Sequence, residues 1–322
     1  MANIILTSYC NLHCPYCFAN SMITTENTKN ISLEQFNKVL NWLDDDDRIG
    51  LIGGEPTLHP QFDSILTMIE SYSRQRNYDC GFILFTNGIY LNKYLNHIPR
   101  NMDILINVNQ PQAMTPQQYA DMIKNISIIY NRGWFHNEDR KATLGCNICQ
   151  EIDDYSFIWT LVKRFKIPAL RMSVCAPTRE DQLADKEGYY NMMKPKFLQF
   201  VQDAKQAGTL LSPDCNQIPP CYFTQEEIDF INSCYVPEER VDYPKCAPVI
   251  DISIDFTAAG CFGCYERVNC EDFANVHEVY RYFMYKGLYP KILNNCTGKC
   301  VGCKKFELMQ CQGGCLAFGK NA

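Results

Sequence analysis

The stretch TSYCNLHCPYCFAN, residues 7–20, carries three cysteines, Cys10, Cys14 and Cys17, with three residues and then two between them. A structural zinc site closes its tetrahedron with four protein ligands. Three thiols leave one position open, and closely spaced cysteines are how iron–sulfur proteins hold their clusters. We therefore expect this loop to bind a 4Fe–4S cluster in which one iron has no protein ligand.

The bulk composition is that of a globular protein without a nucleic-acid or membrane partner. Of the 322 residues, 46% are hydrophobic and 20% are charged, and the net charge is −6. Binding to a nucleic-acid backbone needs a basic face, which this balance does not favour. No apolar run approaches the ~20 residues of a membrane span, and the N-terminus is too short and uncharged for a secretory signal. We expect a cytoplasmic protein whose thiols are kept reduced.

The 19 cysteines are unevenly distributed along the chain. Apart from the first three, most of them lie between Cys215 and Cys315. In a reducing compartment, clustered cysteines bind metals more often than they form disulfides. The distribution therefore predicts a second metal-binding region in the C-terminal third of the chain.

Residues 1–210 alternate between apolar runs and amphipathic segments. The runs predict six strands, NIILTSYC, RIGLIGG, GFILFTNG, DILINVN, KATLGCNIC and ALRMSV, with helical patterns between them. Strands that are apolar throughout are typical of a parallel sheet covered by helices. The pattern predicts an α/β fold, a partial (β/α)6 barrel over residues 1–210, followed by a small cysteine-rich domain over residues 211–322.

Polar and glycine residues follow the first four predicted strands. In such folds the ligands sit at the C-terminal ends of the strands. We expect the following residues to share one rim: Cys10, Gly53, Gly54, Glu55, Thr86, Asn87 and Asn109.

The spacing Cys10-x3-Cys14-x2-Cys17, directly after a first strand and with Tyr16 before the last cysteine, resembles the signature of the radical S-adenosylmethionine (radical SAM) enzymes. The sequence GGEP, residues 53–56, resembles the motif with which that family holds the methionyl amine. The resemblance covers roughly residues 1–175. It implies that the three cysteines hold a 4Fe–4S cluster and that the open iron binds S-adenosyl-L-methionine through its amino and carboxylate groups.

The resemblance also implies a reaction. One electron, from a reductant such as flavodoxin or ferredoxin, cleaves S-adenosylmethionine to methionine and a 5′-deoxyadenosyl radical. That radical takes a hydrogen atom from the substrate. The protein has to position the cofactor and to exclude water and oxygen.

Further residues are candidates for contacts with S-adenosylmethionine. Glu55 can accept a hydrogen bond from the amine, and Asn107 and Asn109 share one face of strand four, where they could touch ribose or carboxylate. Arg171, on strand six, could pair with a carboxylate of cofactor or substrate. For the arginine and the asparagines, a polar core residue satisfied by its neighbours is the alternative. The candidates for cofactor binding are Tyr16, Gly53, Gly54, Glu55, Thr86, Asn87, Asn107, Asn109 and Arg171.

The stretch CTGKCVGCKKFELMQCQGGC, residues 296–315, resembles the SPASM extension of radical SAM enzymes, which binds auxiliary clusters. The SPASM pattern C-x2-C-x5-C-x3-C corresponds to Cys300-x2-Cys303-x7-Cys311-x3-Cys315, with a middle gap two residues longer. Upstream, the cysteines around the apolar run VIDISIDF resemble its β-hairpin with ligands at both ends. The resemblance implies one or two auxiliary 4Fe–4S clusters. The predicted metal ligands of this region are Cys246, Cys261, Cys264, Cys296, Cys300, Cys303, Cys311 and Cys315.

The ligand set of these clusters stays open at the level of sequence. SPASM domains place a further cysteine after the pattern, and none follows Cys315. Cys296 could substitute for it, and Cys215, Cys221 and Cys234 are further candidates upstream. One cluster with an open iron, a single auxiliary cluster, or zinc at the paired C-x2-C spacings are the alternatives.

Three cysteines near the predicted barrel, Cys146, Cys149 and Cys175, are expected to be small buried hydrophobic residues. Cys175 has a second interpretation. It shares a face of strand six with Arg171. A thiol there could donate a hydrogen atom to a substrate radical, which makes Cys175 a candidate catalytic residue.

Radical SAM enzymes with a SPASM extension mostly act on peptides or proteins. We therefore expect an oxidoreductase that modifies a peptide or protein by cross-linking, epimerisation or residue oxidation, as in the maturation of ribosomal peptides. The signature begins at residue 10, so we expect no separate N-terminal domain for peptide recognition. The alternative substrates are a nucleotide, a sugar or a cofactor precursor. Outside the enzymes, a metal-binding interaction module is the alternative.

Replacing Cys10, Cys14 or Cys17 singly by alanine should abolish 5′-deoxyadenosine formation, because the remaining thiolates cannot hold a cluster with one differentiated iron. The measurement is chromatography of reconstituted, reduced protein after anaerobic incubation with S-adenosylmethionine. Retained cleavage in any of the three variants would contradict this ligand assignment.

Overall fold

The computed structural model describes residues 1–17, 19, 22–23, 28–43, 48–136, 141–177, 179–239, 246, 249–261, 266–296 and 298–320. The chain divides into two compact units. Unit 1 is Met1–Thr143 with Val249–Phe283, and unit 2 is Leu144–Pro248 with Met284–Ala322. Each unit contains residues from before and after residue 210. The predicted domain boundary near residue 210 stays a prediction.

Strands and helices alternate in the predicted order up to β6. The strands are β1 (Ala2–Ile5), β2 (Arg48–Ile52), β3 (Gly81–Thr86), β4 (Met102–Asn107), β5 (Ala142–Ile148), β6 (Ala169–Val174), β7 (Leu210–Pro213), β8 (Ile250–Ile252), β9 (Thr257–Ala259) and β10 (Val268–Asn269). The helices are α1 (Leu33–Trp42), α2 (Phe62–Gln75), α3 (Pro116–Asn131), α4 (Ser156–Phe165), α5 (Glu180–Ala184), α6 (Lys186–Ala207), α7 (Gln225–Cys234), α8 (Val276–Tyr282), α9 (Tyr289–Asn294) and α10 (Lys304–Glu307). The α/β fold class is confirmed.

Unit 1 is built on the strand order β10-β9-β8-β1-β2-β3-β4. The strands from β8 through β4 pair in parallel, whereas β8, β9 and β10 form antiparallel pairs. Every residue of β1 is buried, as expected for a strand with a neighbour on each side and an apolar sequence. In unit 2, β5, β6 and β7 pair in parallel in that order.

Two segments differ locally from the sequence pattern, which predicts a short helix near LNKYLNHI (residues 91–98) and a strand over VIDISIDF (residues 249–256). The run LNKYLNHI forms only the 3₁₀ turn Leu91–Lys93, and Pro99 just after the run disfavours a helical residue before it. The run VIDISIDF is not one strand. It turns after Ile252, and the amide of Ser253 donates to the carbonyl of Thr257 at 2.7 Å, which closes the β8–β9 hairpin.

Helix α3 begins with a capping box. The Thr115 side chain accepts a hydrogen bond from the Gln118 amide, the Gln118 side chain accepts one from the Thr115 amide, and Pro116 occupies the first turn. Beyond the helix, Gly133 takes a positive φ of 74°, which glycine adopts at little cost. Across the described ranges, no helix is both long and apolar enough to cross a membrane.

A buried polar pair connects β1 and β8. The Nδ2 of Asn3 donates to Oδ1 of Asp251 at 2.7 Å, and both side chains are buried. Because β8 comes from the C-terminal part of the chain, this bond adds a specific polar contact to the backbone pairing of the two strands. A buried amide without its acceptor would carry the full cost of desolvation.

Asp251→Ala should lower the free energy of unfolding by about 1–3 kcal/mol, because the Asn3 amide loses its buried acceptor. Asp251→Asn keeps a side-chain carbonyl oxygen and is the matched control. Urea unfolding of the metal-free protein, followed by circular dichroism, measures both variants. Equal stability of the alanine variant and the wild type would show that the pair contributes nothing.

Candidate active site

The cysteine loop, Cys10–Cys17, starts beside the GGE segment at the end of β2. The amides of Gly54 and Glu55 donate to the carbonyls of Thr7 and Tyr9, each at 2.8 Å. The parallel pairing of β1 and β2 is thus continued beyond both strands. These backbone bonds fix where the cysteine loop begins.

Gly53 and Gly54 allow the two chains to approach this closely. A Cβ at Gly54 would lie 2.1 Å from the carbonyl oxygen of Tyr9, and one at Gly53 would lie 2.6 Å from that of Thr7. Both neighbours are backbone atoms held by hydrogen bonds, so they cannot rotate aside. Any side chain at these positions would push the GGE segment away from the cysteine loop.

Glu55 is 1% exposed and ties the end of β2 to the end of β3. Its Oε1 accepts from the Thr57 hydroxyl (2.5 Å), the Thr57 amide (3.2 Å) and the Thr86 hydroxyl (2.7 Å). Its Oε2 accepts from the Asn87 amide at 2.7 Å. Burial raises the pKa of this carboxyl, and the donors act against that shift. Thr86 and Asn87 therefore donate hydrogen bonds to Glu55. Their contact with a cofactor stays a prediction.

The cysteine loop brings its three thiols into one half-buried region. Burial, and then Glu55 and Cys17, raise the pKa of Cys10 to about 11. Burial, and then Cys17 and Cys10, raise the pKa of Cys14 to about 12. Burial also raises the pKa of Cys17. The amide of Leu12 donates to Sγ of Cys10 at 3.5 Å. Three neighbouring thiols, one of which accepts a hydrogen bond from a backbone amide, fit the donor set of a 4Fe–4S cluster.

Tyr16 and Asn109 meet at this loop. The Tyr16 hydroxyl and the Cys14 thiol both donate to Oδ1 of Asn109, the thiol at 3.3 Å. The Nδ2 of Asn109 donates to the carbonyl of Asn107 at 3.3 Å. The end of β4 thus supports the loop from a third strand, with Asn107 taking part through its backbone.

Asn11 and Thr57 are residues of this region that the sequence analysis missed. The Nδ2 of Asn87 donates to Oδ1 of Asn11 at 2.8 Å, and Oδ1 of Asn87 accepts from the Ile89 amide at 3.1 Å. Asn87 therefore links the cysteine loop to the end of β3. The sequence signals were the positions of Asn11 between two cysteines and of Thr57 directly after GGEP.

Arg171, which lies in unit 2, pairs with a carboxylate of the protein itself. Its guanidinium lies 2.6 Å from Oδ2 of Asp214. Asp214 directly follows β7, which pairs with β6. The sequence predicts that Arg171 pairs with a carboxylate of the cofactor or substrate. In this structure its partner is Asp214, and a contact of Arg171 with a ligand stays a prediction.

Cys175 forms a disulfide with Cys149, which differs from the expectation of reduced, buried thiols. The ends of β5 and β6 lie side by side, and the Cys175 amide donates to the Ile148 carbonyl at 2.9 Å. The two sulfurs are therefore neighbours. A disulfide has no S–H bond to donate, so the predicted donor role applies only to a reduced form.

Unit 2 gathers the thiols of Cys221, Cys300, Cys303 and Cys311, which we call the four-thiol group. Burial, followed by Cys300 and Cys303, raises the pKa of Cys311. Desolvation, followed by the thiols of Cys300, Cys311 and Cys303, raises the pKa of Cys221 to about 11. Cys221 was only a further candidate in the sequence, because it lies far upstream of the other members.

The remaining predicted ligands are placed differently. Burial, and then the Cys246 thiol, raise the pKa of Cys315 to about 12. Cys296 and Cys246 pack against the apolar cluster that contains Leu288, Ile292, Phe306 and Leu316. In unit 1, Cys261 directly follows the β8–β9 hairpin, and Cys264 lies outside the described residues. Within the described part of the chain, no three histidine, cysteine or carboxylate side chains surround one single-ion position.

Comparison with known proteins places residues 4–133 in the radical SAM superfamily. The profile of the radical SAM superfamily matches residues 4–133. A GTP 3′,8-cyclase of Synechocystis sp. is 23% identical over 303 residues, which are 89% of this chain and 86% of that protein. A GTP 3′,8-cyclase of Nautilia profundicola is 34% identical over 94 residues, 28% of each chain.

The fold is similar to that of SuiB from Streptococcus suis. The SuiB structure with bound precursor peptide SuiA has a TM-score of 0.63 and 17% identity, over 98% of this chain and 71% of SuiB. The SuiB structure with bound S-adenosylmethionine gives 0.63 and 14%, over 98% and 72%. Identities this low describe the fold. Residues 4–133 form a radical SAM domain. This family implies a 4Fe–4S cluster and S-adenosylmethionine as cofactors.

Gly54→Ala should lower the free energy of unfolding by about 1–3 kcal/mol, because the new methyl group overlaps the Tyr9 backbone. It should also reduce the iron bound by Cys10, Cys14 and Cys17, since the start of their loop moves. Iron analysis after anaerobic reconstitution and urea unfolding measure the two effects.

Gly133→Ala is the matched control for this prediction. A Cβ at Gly133 would have no neighbour within 4 Å, and only its φ of 74° causes strain, which costs about 1 kcal/mol. Iron content should be unchanged in this variant. Normal iron content in Gly54→Ala would show that the close approach is not needed for the cluster.

Proposed function

We propose that this radical SAM enzyme modifies a peptide or protein substrate and carries one or two auxiliary 4Fe–4S clusters in its cysteine-rich C-terminal region. The observation that carries the proposal is the gathering of C-terminal thiols in unit 2, a four-thiol group and the pair Cys246 and Cys315. The cysteine pattern of this region resembles that of peptide-modifying members of the family. The fold likeness to SuiB, which extends over 98% of this chain, agrees with it.

The chain's own residues would prepare the reaction at the ends of β1 to β4. Cys10, Cys14 and Cys17 would hold the cluster, and the Leu12 amide directed at Cys10 would stabilise its thiolate. With S-adenosylmethionine, the bound cluster supplies the reductive cleavage that yields a hydrogen-abstracting radical. Tyr16, held by Asn109, would cover the loop and limit the access of water.

Glu55 is suited to receive the methionyl amine of the cofactor. Oε1 already accepts three hydrogen bonds, while Oε2 accepts one from the Asn87 amide. Oε2 has fewer donors than Oε1, so it is the oxygen with room to accept a further hydrogen bond. An ammonium group there would favour the ionised carboxylate and oppose the effect of burial on its pKa.

A second candidate function is the conversion of a nucleotide or another small molecule. The specific observation is the match to a GTP 3′,8-cyclase that spans 86% of that protein. Either function needs an external one-electron reductant, for which a flavodoxin or ferredoxin is the proposed partner. The two candidates differ only in the molecule that loses the hydrogen atom.

A comparison of candidate substrates distinguishes the two functions. Reconstituted protein is incubated anaerobically with S-adenosylmethionine and a reductant, either alone, with short peptides encoded beside its gene, or with GTP. We expect a peptide to raise 5′-deoxyadenosine formation several-fold and to change in mass or in deuterium content. Cys10→Ala is the inactive control.

The opposite result would favour the second candidate. Consumption of GTP in step with 5′-deoxyadenosine formation, without an effect of any peptide, would overturn the peptide proposal. It would leave the radical SAM chemistry itself in place.

A further inference from the structure

The four-thiol group combines two distant segments of unit 2. Cys300, Cys303 and Cys311 come from one stretch, and a cluster of the 4Fe–4S type is commonly held by four thiolates. The next cysteine, Cys315, is engaged elsewhere. Its amide donates to the Tyr190 hydroxyl at 2.8 Å. The neighbouring thiol that raises the pKa of Cys315 is that of Cys246. A full set of four thiolates therefore needs a ligand from another part of the chain.

Two contacts hold the turn Pro220–Tyr222 beside the start of this stretch. The Nζ of Lys299 donates to the carbonyl of Cys221 at 3.3 Å. The same ammonium lies 4.6 Å from the centroid of the Tyr222 ring, within the range of a cation–π contact. Because Lys299 directly precedes Cys300, these contacts keep Cys221 next to the other three thiols.

Two groups beside the four-thiol group can offset the negative charge that metal-bound thiolates would carry. The Nζ of Lys186, a residue only 7% exposed, lies 3.5 Å from Sγ of Cys300. The amide of Gly313 donates to Sγ of Cys311 at 3.4 Å, the same arrangement, two residues apart, that occurs at Cys10. A buried cation and an amide directed at sulfur both compensate the negative charge of metal-bound thiolates.

Gly313 leaves room for this arrangement. A Cβ at this position would lie 3.0 Å from Sγ of Cys300, and its φ of 76° favours glycine. The backbone of the QGGC turn therefore reaches the thiols directly. A side chain there would displace Cys300 or the turn.

We propose that Cys221 is the fourth ligand of an auxiliary 4Fe–4S cluster held by Cys221, Cys300, Cys303 and Cys311. The proposal rests on the auxiliary clusters of the proposed function, but it is independent of the substrate.

Thiol labelling of the wild-type protein tests the assignment without any mutation. Iron-loaded protein and protein stripped of iron by a chelator and an oxidant, then reduced again, are treated anaerobically with iodoacetamide and analysed by peptide mass spectrometry. Cys221 is exposed, so it should react readily when stripped and roughly tenfold more slowly when loaded, since a metal engages the sulfur. Cys215, also exposed, is the control thiol and should react alike in both states.

Two labelling results would overturn the proposal. One is equal labelling of Cys221 in both states while Cys300, Cys303 and Cys311 are protected. The other is protection that accompanies stoichiometric zinc without auxiliary iron, because the group would then be a zinc site.

Iron analysis gives a second and independent measurement. In protein with Cys10, Cys14 and Cys17 replaced by alanine, only auxiliary iron remains. Adding Cys221→Ala to this background should remove about four iron atoms per chain, whereas adding Cys215→Ala should remove none. A loss of iron with Cys215→Ala but not with Cys221→Ala would assign the fourth position to another residue. Neither readout uses a substrate or S-adenosylmethionine.

Discussion

The hydrogen bonds from Gly54 to Thr7 and from Glu55 to Tyr9 are the constraint on which the site depends. They continue the pairing of β1 and β2 past the ends of both strands. They set the direction in which the cysteine loop leaves the sheet. The glycines are required because the carbonyl oxygens of the opposite chain occupy the space of a Cβ. The GGE sequence is therefore first a packing requirement, and any contact with a cofactor builds on it.

The buried carboxylate of Glu55 makes this arrangement rigid. Burying a charge is unfavourable unless hydrogen bonds compensate it. Here four donors from Thr57, Thr86 and Asn87 do so. Because these donors lie at the ends of β2 and β3, the carboxylate ties both ends together. Asn87 then reaches the cysteine loop through Asn11, so folding and site geometry share one network.

The cysteine-rich region of unit 2 follows a similar physical rule with different groups. Thiolates that bind metal carry negative charge, and Lys186 and the Gly313 amide lie where they can offset it. Lys299 contributes through a backbone carbonyl and an aromatic ring instead. In each unit, a backbone amide is directed at a cysteine sulfur. In each unit, a glycine also allows the backbone to approach its neighbours closely.

The sequence by itself determined the fold class and the radical SAM domain, because apolar periodicity and the spacing of Cys10, Cys14 and Cys17 are local properties of the chain. Tyr16, Asn109 and the GGE segment could also be proposed as site residues from the sequence, since strand ends in a parallel sheet meet at one edge. Only the tertiary structure decided the partners: Asp214 for Arg171, Cys149 for Cys175, Thr57 and Thr86 for Glu55, and Cys221 for the C-terminal thiols. Such pairs join segments far apart in sequence, and no local pattern records which of them the folded backbone brings within hydrogen-bonding or covalent reach.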